Sequence, residues 1–185
     1  MPRTDRVTYG KAVGGLLFVH LAMLGWIAAW NAPVCDEDGH LTAGIYEWRF
    51  GNFFLYRVNP PLVKLVAAIP AAIGNPKVDW SHVLDGPTIR TEFEIGQDFM
   101  RANRPNGAWY HTAGRLLCLP FTVLGGCMCY LWGRSLYGSR SGFVACILWC
   151  LNPVVLGWGS TFCSPANSEM YRPLRAQSSS RRHPA

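Results

Sequence analysis

Long stretches of this sequence carry no charge. No residue is formally charged from Ala12 to Asn31, from Leu116 to Gly133, or from Ser141 to Ser168. A helix that crosses a bilayer needs about 20 mostly apolar residues, with roughly 17 to 25 tolerated. The sequence therefore predicts an all-α membrane protein with three transmembrane helices, Ala12–Trp30, Leu116–Trp132 and Phe143–Trp158. Between the first and second lies a helical extracytoplasmic loop, 32–114. The missing charge also argues against a transporter or channel, whose path needs ionisable groups inside the spans.

A cysteine framework is lacking too. The chain has seven cysteines, but Cys127-x-Cys129 and Cys146-x3-Cys150 fall inside spans, where a thiol packs as a small hydrophobe. Neither has zinc-site spacing. Cys35 and Cys163 both fall near the outer face, which leaves a disulfide open, yet nothing repeats the spacing of small secreted domains. An organised basic face is absent as well. The net charge of +6 is spread over the N-terminal arm, the Arg134–Arg140 turn and the arginines beyond Arg172, which excludes a nucleic-acid surface.

The basic residues that are present set an orientation. Arg3, Arg6 and Lys11 precede the first span, and Arg134 and Arg140 join the second to the third. Positive charge in short loops marks the cytoplasmic side. The expected protein is integral to a plasma or inner membrane, with its N-terminus cytoplasmic and loop 32–114 extracytoplasmic. Residues 162–185 have the serine- and arginine-rich composition of a disordered tail. The first span's uncharged core is longer than the apolar region of a signal peptide, about 7–15 residues, so it is read as a span. His20 within it is read as a neutral packed side chain, and Arg115 at the edge of the second span as a snorkelling one.

Val34 to Gly74 holds the residues with chemistry in them. Asp36-Glu37-Asp38 opens a helix expected over Asp36–Tyr56, where acids suit the N-terminal end of the dipole. One turn along, His40 shares a face with Asp36. Asn59-Pro60-Pro61 then breaks the chain. Leu62–Ile73 follows, apolar apart from Lys64 and too short to span, so an interfacial helix is expected. Sugar transfer from a lipid phosphate needs a carboxylate to take the acceptor's proton and a cation for the leaving phosphate. Asp36 and Lys64 both fall at head-group depth. Helix-end charge alone also accounts for the acids, without any function.

The order of a span, Asp36-Glu37-x-x-His40, Tyr56-x-Val58-Asn59-Pro60-Pro61-Leu62-Val63-Lys64 and an apolar helix resembles the start of membrane glycosyltransferases of the GT-C fold. Protein O-mannosyltransferases and lipid A aminoarabinose transferases are the nearest groups. The likeness extends through Leu136-Tyr137-Gly138 and Leu151-Asn152-Pro153, making 1–161 the N-terminal part of such a transmembrane domain. It implies an inverting transfer of a sugar from a polyprenyl-phosphate donor to an acceptor hydroxyl at the outer face. Asp36 would be the general base, with Glu37 supporting it or holding a divalent cation. Lys64, Arg57 and His40 would meet the donor phosphate.

Two departures stand out. Asn59 replaces the family's usual histidine, and Cys163-Ser164-Pro165-Ala166-Asn167 has alanine where a second outer-loop acid is expected. Relatives also have many more spans. A chain truncated or frameshifted after the third span is the expectation, and such a fragment would be inactive by itself. The competing expectation is a small non-catalytic membrane protein whose outer loop binds a partner or lipid.

Overall fold

The computed structural model describes residues 3–57, 61–83 and 90–162. Every regular element among them is a helix: α1 (Arg3–Trp30), α2 (Cys35–Phe50), α3 (Pro61–Gly74), α4 (Glu92–Ala102), α5 (Gly107–Tyr137), α6 (Ser139–Cys150) and α7 (Pro153–Trp158). Asn59, the thiols of Cys35 and Cys163, and the chain beyond Phe162 fall outside the described residues.

Two helices, Tyr9–Trp30 within α1 and the whole of α5, are long and apolar enough to cross a membrane. Both outrun expectation. At roughly 1.5 Å per residue, the 31 residues of α5 reach well beyond the apolar segment, because Gly107–Arg115 continues the helix where a loop was expected. The expected third span is not one helix. Its chain folds as α6 and the six-residue α7. Pro153 removes a backbone donor, and the Asn152 side chain accepts from the Val154 amide at 2.8 Å, capping a fresh start at α7.

α5 and α6 form a hairpin through Gly138, whose φ of 93° suits a residue without Cβ. They meet closely where Gly133 faces Gly142, and α1 packs across both. Val13, Tyr130, Cys146 and Cys150 are buried there. His20 is buried as expected and contacts the Cys150 carbonyl at 2.9 Å through Nδ1. The carbonyl is open to it because α6 ends at this residue.

A second layer gathers α2, α3 and α4 around the first turns of α5. Small residues make this possible. A methyl group on Gly114 would lie 2.5 Å from the Ala67 carbonyl oxygen, and one on Gly44 would strike the Lys64 carbonyl and Ala68. Leu41, Ile45, Ala67, Ala68, Ala71 and Phe99 form the core between these helices. α2 ends earlier than expected. Gly51 adopts φ 65° and its amide closes on the Glu47 carbonyl at 2.9 Å, a left-handed stop that only glycine takes without cost. α3 follows its expected limits.

Candidate functional site

The acidic triplet that opens α2 separates, because successive helical residues point about 100° apart. Each acid takes a different direction.

Glu37 points to α5. Its two oxygens receive Nε and Nη2 of Arg115 at 2.9 and 2.5 Å, and Oε2 also accepts the Val34 amide at 2.9 Å. The guanidinium spends its remaining donors on the carbonyls of Ala28, Asn31 and Ala32, at 3.1, 2.7 and 3.0 Å. Arg115 is therefore buried rather than snorkelling. Its rigid five-donor fork ties the end of α1 and the start of α2 to α5. Asp38 turns to His111, whose Nε2 lies 2.9 Å from Oδ1. The His111 ring is fully buried.

Asp36 has neither arrangement. It is buried, and its Oδ1 has no hydrogen-bond partner among the described residues. Burial pushes its pKa up from the ordinary carboxylate value, and the nearby Arg90 guanidinium opposes that in part. Arg90 sits over two aromatic rings, 5.4 Å from the centre of Tyr56 and 5.0 Å from that of Phe93. Glu92 holds it through Nε at 2.8 Å.

Tyr56 is where these groups converge. It has a positive φ of 56°, unusual for a bulky side chain and found where surrounding structure enforces it. The His40 ring meets its ring edge-on at 4.3 Å. Its carbonyl accepts the Lys64 ammonium at 3.0 Å, with the Leu55 carbonyl at 3.5 Å. Lys64 also pairs with Glu47 at 2.5 Å, both side chains enclosed. Burial lowers the His40 pKa to about 4, and Lys64 adds to the effect. Glu47 is raised by burial, with Lys64 pulling the other way.

His40 thus meets the Tyr56 ring and Lys64 its carbonyl, while Asp36 feels the charge of the Arg90 guanidinium that lies over that ring. Arg57 stands at the rim, exposed, its Nε donating to the Phe54 carbonyl at 3.1 Å. Glu37 lies apart, committed to Arg115. Among the described residues no group of three or more His, Cys, Asp or Glu is arranged to hold a metal ion. Sequence reasoning missed Arg90 and Tyr56 as site residues. Arg90 comes over fifty residues after Asp36 and no periodicity links them. Its one local signal was a cation two residues before an acid and three before Phe93.

Neither protein-family models, nor curated proteins, nor solved structures give a match to this chain.

Proposed function

We propose that this chain is a membrane glycosyltransferase unit that takes a sugar from a polyprenyl-phosphate donor, with Asp36 as general base. One observation carries the reading: a buried carboxylate with a raised pKa, one of its oxygens unbonded among the described residues, lies beside a cation stacked on aromatic rings. A carboxylate kept out of water is a stronger proton acceptor than one on the surface, and a raised pKa moves it toward the working range of a general base. Arg90 supplies the positive charge that a leaving phosphate requires. His40, neutral above about pH 4, serves as a hydrogen-bonding group rather than a cation. Lys64 holds the Leu55–Arg57 turn in place, and Arg57 meets phosphate at the rim. α1 and α5 cross the membrane, α6 and α7 together make a third crossing broken at Pro153, and the α2–α4 layer faces outward.

The test is donor retention by the full chain in lipid nanodiscs, read by native mass spectrometry with a polyprenyl-phosphate hexose. Preferential retention over a phospholipid of equal charge is expected, with Arg90→Ala weakening it about tenfold, the worth of roughly 1.4 kcal/mol. Retention no better than that of the phospholipid contradicts the proposal.

A second reading has its own support. Glu37 and Lys64 are both consumed by internal ion pairs, as a non-catalytic membrane protein with a partner- or lipid-binding loop would have them. That protein would show no donor preference.

A further inference from the structure

Helix α3 buries a lysine among alanines and turns its larger apolar side chains outward. Its one charged residue, Lys64, is buried, while Leu62, Val63 and Ile73 are exposed. A helix facing water shows the reverse pattern. Its neighbours give its height. Cys118 Sγ lies 3.7 Å from the Val63 carbonyl, and Gly114 fits against Ala67. The exposed start of α3 is therefore level with Leu116 and Leu117, exposed residues at the beginning of the apolar stretch of α5. Exposed apolar side chains of both helices therefore lie at one height.

Trp48 and a basic end complete this face. Trp48 is 54% exposed, and its Nε1 donates to the Leu65 carbonyl at 2.9 Å, so the indole has a satisfied polar edge and an open ring. Such rings collect at bilayer interfaces. Between α2 and α3 runs a groove of about 400 Å³ with Trp48, Ala72 and Ile73 along it and Arg49 at its margin. Arg49 also borders an adjoining hollow of about 600 Å³ with Lys77 and Asp79. The Asp79 carboxylate already accepts the Ser81 amide at 2.9 Å.

We infer that this face is seated in the head-group layer of the bilayer, where Arg49 and Lys77 bind the phosphate of an anionic phospholipid whose chain lies in the Trp48 groove. The inference rests on α1 and α5 crossing the membrane and not on sugar transfer. The shared level with the exposed apolar residues of α5 selects lipid as the occupant, and the two cations select an anionic head group. A single basic residue at an anionic surface is worth about 1 kcal/mol.

The test uses the full chain in phosphatidylcholine nanodiscs, with and without phosphatidylglycerol. Bromines near the head-group end of the acyl chains should quench the emission that Trp48→Phe removes. In the mixed discs, native mass spectrometry should find phosphatidylglycerol retained preferentially, and Arg49→Gln should reduce that preference about fivefold. The retention readout does not depend on the Trp48 variant folding. If the emission removed by Trp26→Phe and Trp132→Phe is quenched but that of Trp48 is not, the inference fails alone. If none is quenched, the membrane reading fails and takes the inference with it. Equal retention of the two lipids overturns the head-group assignment.

Discussion

Single side chains carry the chemistry of this molecule, and three of them respond to pH. The ordinary imidazole pKa is 6.5, and burial lowers that of His40 to about 4. Between those values the unfolded chain binds a proton that the folded chain refuses, so stability falls as pH drops through that window. The loss amounts to about 3 kcal/mol if the whole shift is realised. Asp36 and Glu47 act in the opposite sense. Both are raised, so the folded form holds their protons longer and stability falls as pH rises through their folded pKa values. The His40 contribution is therefore read by difference. In detergent, melting of the native protein and of His40→Gln should converge near pH 7 and diverge toward pH 4.5, with the variant losing less. For Asp36 the account predicts a trade. Asp36→Asn removes a buried charge, so its melting temperature at pH 7.5 should rise by a few degrees while donor retention persists. A fall in melting temperature would mean that the carboxylate is stabilised by contacts other than Arg90.

At the scale of helices, the structure depends on two kinds of junction. The first is ionic. Arg115 joins α5 to α2 through Glu37 and to the end of α1 through three carbonyls. Removing one member of a buried pair strands the other, at a cost of about 3–5 kcal/mol. Arg115→Met and Glu37→Leu should each lower the melting temperature sharply. The double variant should recover only part of the loss, because the carbonyls of Ala28, Asn31 and Ala32 still lack their donor. Full additivity of the two changes would contradict the pairing. The second kind of junction is steric. Gly44→Ala and Gly114→Ala place a methyl group against backbone at the α2–α3 and α3–α5 contacts, and about 1–3 kcal/mol of destabilisation is expected for each. Gly15 has open space around it, so Gly15→Ala should be neutral or stabilising by up to about 1 kcal/mol.

These junctions explain which parts of the fold were legible beforehand. α1, α3 and the apolar part of α5 follow from hydrophobic runs, which are local. The end of α2 at Gly51 and the break at Asn152-Pro153 depend on backbone conformation, which apolarity does not report. The α6–α7 break was therefore read as a continuous span even though its proline was visible. Arg115 was read as a surface side chain because its partners are at residues 28–37, beyond the reach of any local pattern. Asp36 and His40 were legible as a helical pair and Lys64 by its isolation in an apolar helix. The cation beside Asp36 was not, since only the fold brings Arg90 there.

At the scale of the whole molecule, two long apolar helices support a compact layer of shorter ones, and in that layer the buried Asp36 carboxylate has no hydrogen bond at Oδ1 among the described residues. The proposed sugar transfer depends on that carboxylate lying where a lipid phosphate arrives. The most direct measurement is the titration of Asp36, followed by carboxyl carbon NMR in nanodiscs, with and without a polyprenyl-phosphate hexose. The account predicts a signal, absent from Asp36→Asn, that titrates above the ordinary value of 3.8 and moves further up when the anionic donor is added. An Asp36 that titrates at the ordinary value, or that ignores the donor, would contradict it.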